Sequence, residues 1–197
     1  MLTQVARATL RILLFRAGPQ DFPFDPGLSR VLVPLAVLVN FLLASVTLPP
    51  LLAVVAAVVT VYALSFSTRT MLRLRQVENR YDQTFHALLA TSSVMSALVI
   101  LPTAKLKPQI LQIAQHPELV NNPETMLPPG LALSLLLLLA WNFVVTASIY
   151  RQAAGFRMPL AVLVALLISI SLQVFVGLAT STIGSVFGLL PTTLGTP

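Results

Sequence analysis

Asp82 and His86 are the residues best placed to do chemistry. They lie four apart, hence on one side of a helix, with Arg80 just before them and Gln83 and Thr84 between. A carboxylate and an imidazole at that spacing could relay protons, because imidazole changes charge near neutral pH. The same residues also read as a helix start, where Glu78 and Asp82 face the positive end of the dipole and His86 bonds to a neighbouring helix. That structural reading is the one adopted. Asn40, Asn142 and Gln173 are single amides within apolar stretches, and Ser92, Ser93 and Ser96 cluster in another. Such groups commonly hydrogen-bond between membrane helices for about 0.6 to 2 kcal/mol each, so they read as packing contacts, and a conduction path would need more of them. A polar stripe continuing through Asp82, His86, Ser93 and Ser96 would be the mark of such a path. Gly177, Ser181, Gly184 and Gly188 fall close to one helical side, where small residues let another backbone approach, and that face is expected to be buried.

No nucleotide loop, no paired deep carboxylates, no metal-ligand helix and no GxSxG nucleophile site occur in the sequence. With no cysteine, disulfides, thiolate catalysis, iron–sulfur clusters and thiolate zinc sites are excluded together. The expectation is a protein that is not an enzyme, with no catalytic, cofactor or metal site.

The elements that must position these residues follow from composition. Of 197 residues, 56% are hydrophobic and 9% charged, and the mean hydropathy is +0.89. A water-soluble core could not hide that much apolar area, so lipid must cover most of the surface. No charge occurs between Arg30 and Arg69, a stretch twice the ~20 residues that cross a bilayer core. Pro49 and Pro50 divide it into a helical hairpin, Val31 to Leu48 going over and Leu51 to about Phe66 returning. A third span runs from about Gln83 to Leu101, closed by Pro102. The fourth is Leu131 to Tyr150, with Trp141 and Tyr150 as interfacial anchors. The last apolar run, Met158 to Leu190, overshoots the bilayer, so the fifth span is set at about Leu160 to Leu178. The weak helix formers 179–184 then interrupt it before a short segment, Gly184 to Leu190. The predicted fold is an all-α, multi-pass bundle of five transmembrane helices with an N-terminal interfacial amphipathic helix.

Five spans put all ten arginines on one side and only Lys105 and Lys107 on the other. The positive-inside rule then places the N-terminus in the cytoplasm and the C-terminus in the periplasm. The pI of 10.8 is explained by this asymmetry and by anionic lipid, and three short arginine clusters offer nucleic acid no continuous groove.

Three segments lie outside the spans. Residues 1–17 form an amphipathic helix in the headgroup layer, with Gln4, Arg7 and Arg11 on one face and Leu2, Val5, Ala6 and Leu13 on the other. Residues 18–30 are a Pro-rich cytoplasmic elbow. In it Asp25 caps a helix opening at Pro26, and Phe22 and Phe24 pack at the interface. The remaining residues, 31–197, are the membrane domain. Its outer loop, 103–130, carries a short helix from Pro108 to Gln115 with Leu106, Ile110, Leu111 and Ala114 towards lipid, then turns at Asn121-Asn122-Pro123 and Pro128-Pro129-Gly130.

The run Arg80-Tyr81-Asp82-Gln83-Thr84-Phe85-His86-Ala87-Leu88-Leu89-Ala90, together with the five-span plan, resembles bacterial membrane proteins with a Yip-type domain. Many of these carry a similar Arg-x-x-Gln-Thr-x-x-Ala-Leu start and a proline closing the same helix, here Pro102. The resemblance implies a five-span fold and an inner-membrane address, with no catalytic residues. Eukaryotic relatives associated with membrane traffic and small GTPases bear an Asp-Leu-Tyr-Gly-Pro stretch that is missing here. The expected function is a scaffold or accessory subunit packing against another integral membrane protein or a second copy, in contact with membrane lipids and without nucleic acid. The alternative is a small oligomeric transporter or channel. Reporters fused at Arg75 and Gln152 should read cytoplasm, and those at Gln115 and the C-terminus should read the outside. A cytoplasmic C-terminus would overturn the five-span count.

Overall fold

A computed structural model describes residues 2–115 and 128–189. Six α-helices, and among the described residues no strand, make up the fold: α1 (Leu2–Leu13), α2 (Ser29–Ala44), α3 (Pro50–Leu74), α4 (Tyr81–Gln115), α5 (Pro129–Ala154) and α6 (Met158–Val186). The helices α3 to α6, and α2 together with the 3₁₀ turn Pro26–Leu28 that leads into it, are long and apolar enough to cross a membrane. The turn at Asn121–Pro123 and the chain from Leu190 onward lie outside the described residues.

Proline sets the start of most of these helices. Pro50, Pro129 and Pro159 sit in the first turns of α3, α5 and α6, where an N–H has no intrahelical partner to lose. Pro49 and Pro128 before them are held extended, as the residue preceding a proline must be. Asp25 accepts the Gly27 N–H at 2.7 Å, and a 3₁₀ turn over Pro26–Leu28 leads into α2.

Helix ends use the left-handed region. Gly155 closes α5 at φ 66° and Gly188 follows α6 at φ 62°, where the Leu189 N–H reaches the Gly184 carbonyl at 2.8 Å. Two side-chain-bearing residues do the same: Phe15 after α1 and Gln76 after α3, both at φ 57°. The Val77 N–H then bonds back to the Leu72 carbonyl at 3.0 Å.

The spans pack in a ring. Each of α2–α3, α3–α6, α6–α5, α5–α4 and α4–α2 is an extensively packed pair, so the five helices close on themselves in the order α2, α3, α6, α5, α4. α3 and α4 are the most enclosed, with 44% and 50% of their apolar windows buried against 17% for α2, α5 and α6. The outward faces carry Leu38 and Leu42 of α2, Leu136 and Leu137 of α5, and Leu163, Leu167 and Leu178 of α6, all exposed. In a water-soluble protein so continuous an apolar surface would aggregate; in lipid it is the covered surface.

Several boundaries differ from the sequence reading. Pro102 does not close the third span, because α4 runs 35 residues through both Pro102 and Pro108. Thr103 donates its hydroxyl to the Val99 carbonyl at 2.8 Å beside the gap, and Leu106 beyond it is buried, so side-chain bonding and packing carry the helix across. The short helix expected from Pro108 is the end of α4. Likewise α6 is not interrupted at 179–184. The Thr180 hydroxyl bonds back to the Val176 carbonyl at 2.8 Å, and 29 residues reach about 44 Å, which matches the ~40–45 Å of a bilayer with its headgroups.

Nor are the two aromatic residues of α5 interfacial anchors. Tyr150 is fully buried and bonded to Thr68 at 3.0 Å, while Trp141, midway along α5, donates its indole N–H to the Leu13 carbonyl at 3.1 Å. That bond satisfies one of the last carbonyls of α1 and the indole together. Phe15 packs on the same indole, ring centroids 5.4 Å apart.

α1 therefore has three faces rather than two. Val5, Ala8, Ile12 and Leu13 are buried in the protein, Ala6 and Leu10 are exposed beside them, and Arg7 and Arg11 with Gln4 occupy the remaining side. Of the elbow's phenylalanines, Phe22 is buried and Phe24 exposed.

Gln76→Gly should raise stability by about 1 kcal/mol, by removing the Cβ that the left-handed region disfavours, and Gly155→Ala should lower it by a similar amount. Thermal unfolding in detergent measures both; a drop for Gln76→Gly would contradict the assigned helix end.

Candidate functional site

Three groups of polar residues are built into the bundle. The first closes its arginine-rich end. Arg80 donates to the Ala153 carbonyl at 3.1 Å and Arg75 to the Ala154 carbonyl at 3.5 Å, so two guanidinium groups meet the negative end of the α5 dipole. Arg75 also lies 5.1 Å from the ring centroid of Phe156, and Arg69 lies 5.8 Å from that of Tyr81. Gln83 donates to the Phe22 carbonyl at 3.2 Å, and Gln20 to Gln152 at 3.2 Å, which ties the elbow to α4 and α5. The Arg73–Glu78 pair at 2.9 Å is exposed and contributes little.

The second group surrounds His86, which is wholly buried. Its Nε2 is 2.7 Å from the Ser29 hydroxyl of α2, while Nδ1 is buried with no protein partner. The rings of Phe22 and Phe85 flank it, with centroids 6.5 and 6.4 Å away. Asp82, one turn earlier, is partly exposed, and the hydrogen bond of His86 goes to Ser29 rather than to that carboxylate.

The third group could not be assembled from the sequence. Asn40 of α2, Asn142 of α5 and Gln173 of α6, each a lone amide in its own span, line one chamber of about 250 Å³. Thr60 of α3, Ser92 and Ser96 of α4, Thr146 of α5 and Ser169 of α6 also line it, so every helix of the ring contributes a polar side chain. None of the side chains lining it is charged. Gln173 is exposed and stands at the rim, close to the midpoint of the 29-residue α6. One turn towards the arginine-rich end from the lining residues Leu64 and Thr146 lie Thr68 and Tyr150, whose hydroxyls bond and whose side chains are fully buried. Beside them the Tyr81 hydroxyl meets that of Ser65 at 2.7 Å.

The stripe sought through Asp82, His86, Ser93 and Ser96 is not continuous. Ser93 turns to an apolar groove between α1, α2 and α4, donating to the Leu89 carbonyl at 2.6 Å, whereas Ser92 and Ser96 face the chamber. The small-residue face on α6 is divided too. Gly184 is buried, Gly177 and Ser181 are exposed, and Gly188 lies beyond the helix as part of its cap, so these residues do not share one buried side. Among the described residues no three His, Asp or Glu side chains gather as a metal site requires. Comparison with protein-family models, with curated proteins and with solved structures finds no match.

Ser29→Ala leaves the second buried ring nitrogen of His86 unpaired and should cost about 1–3 kcal/mol. Asp82→Asn loses only a dipole contact and should cost about 0.3–1 kcal/mol. Thermal unfolding of the two variants in one detergent checks the order; the reverse order would return Asp82 to the centre of the site.

Proposed function

We propose that the protein is a non-enzymatic, multi-pass protein of the bacterial inner membrane whose helical ring holds a small solute at mid-membrane, which puts it in the transporter or channel class. The observation that carries this reading is the chamber. Five spans turn polar side chains to one shared, partly open space, and polar residues facing an intramembrane cavity are the usual lining of a solute path. The non-enzymatic reading is supported by the chemistry of that lining, since carboxamides and hydroxyls form hydrogen bonds but supply neither a general base nor an activated nucleophile.

A cytoplasmic N-terminus and a periplasmic C-terminus are supported by the arginines that frame the helix ends around Arg75, Arg80 and Gln152, against Lys105 and Lys107 in the far part of α4. The likeness of residues 80–90 to Yip-type proteins agrees with that address.

A second reading, an accessory subunit packed on a larger membrane protein or on a second copy, is favoured by a separate observation on α6. Gly177 and Ser181 are exposed, and a Cβ at 177 would meet nothing within 4 Å, which leaves an open strip narrow enough for another backbone. Reconstitution decides between the two. Liposomes containing the protein should admit at least one solute from a panel of ions, organic acids, amines and polyols faster than empty liposomes do. Flux equal to that of empty liposomes for the whole panel, with capture of one membrane protein that Gly177→Leu abolishes, would replace the first reading by the second.

A further inference from the structure

We propose that the chamber selects small uncharged molecules carrying several hydroxyl or amide groups; this rests on the chamber being a solute site. Charge is the first argument. An ion at the middle of a bilayer is costly without compensating charge, and the chamber lining holds no ionisable side chain. His86 does not serve it either, since its ring is turned to Ser29 and Phe22.

The second argument is the balance of donors and acceptors. Asn40 uses one N–H on the Ala36 carbonyl at 2.8 Å, and the Thr60 hydroxyl is committed to the Ala56 carbonyl at 2.7 Å. Ser92 likewise donates to the Leu89 carbonyl at 3.2 Å. The arc formed by α4, α2 and α3 therefore offers the chamber the oxygen lone pairs of Thr60 and Ser92, together with the second N–H of Asn40 and the Ser96 hydroxyl. On the facing arc Asn142 and Gln173 carry carboxamides, each with two N–H donors and an accepting oxygen, and Thr146 and Ser169 add hydroxyls. A molecule between these walls must both donate and accept. Hydroxyl and primary amide groups do this; esters and ketones, which only accept, do not.

The test is solute entry into liposomes containing the full chain, followed by stopped-flow light scattering, with erythritol and acetamide as neutral probes and potassium chloride and sodium acetate as charged ones. Erythritol should enter faster than into empty liposomes, and the salts should not. Asn142→Leu removes one hydrogen-bonding partner and should slow erythritol by about tenfold, whereas Ser93→Ala, outside the chamber, should leave it unchanged. Where Asn142→Leu does not insert, Ser96→Leu fills the chamber while keeping every amide and should abolish the flux. Salt entry blocked by these variants would keep the chamber as a solute site and overturn the neutral selectivity. Erythritol entry that neither variant alters, or no entry of any probe, would overturn the proposal, and the latter would overturn the solute-site reading with it.

Discussion

Hydrocarbon offers a polar side chain no hydrogen bond, and that single constraint sorts the faces of all five spans. Hydroxyls solve it locally by bonding to the carbonyl a turn earlier, as Thr60, Thr91 and Thr180 do. Carboxamides have more groups than one carbonyl can satisfy. Asn40, Asn142 and Gln173 therefore gain by turning to a shared polar space, which a ring of helices supplies, with Gln173 still exposed at its rim. The leucine-rich outer surface is the other half of the same sorting, since those side chains lose nothing by facing lipid.

The ring needs its ends held in register, and that is done where water is available. Arg80 and Arg75 bond the final carbonyls of α5 from the α3–α4 connection, so a turn between two helices fixes the end of a third. The elbow adds Gln83 and Gln20 contacts from the opposite side. Residues 80–90 are thus structural almost throughout: Arg80 caps, Gln83 ties the elbow, Thr84 bonds back to the Arg80 carbonyl, and Ala87, Leu88 and Leu89 are buried.

The number of spans, the hairpin at Pro49-Pro50 and the cap at Asp25 were legible because each rests on a local rule that the rest of the fold does not disturb. What failed was local rules applied where packing decides. Pro102 reads as a stop, yet Thr103 and the buried Leu106 carry α4 past it. Gly188 joins the face of Gly184 only if the helix continues, and it ends at Val186. The chamber was illegible for another reason. Periodicity tells which residues share a face of one helix, but not towards which neighbour that face turns, so three amides on three spans looked like three separate contacts. Likewise Trp141 and Tyr150 carry polar tips that suit a headgroup layer, and only the placement of Leu13 and Thr68 shows that protein acceptors took those bonds instead.

The three-faced α1 is held by one flank. It packs against α4 and α5, and its C-terminal end is fixed where the Trp141 N–H bonds the Leu13 carbonyl and the Phe15 ring lies on the same indole. Detaching α1 would leave that N–H and that carbonyl without partners together, so the docking of the helix and the order of its last turn are lost or kept as one.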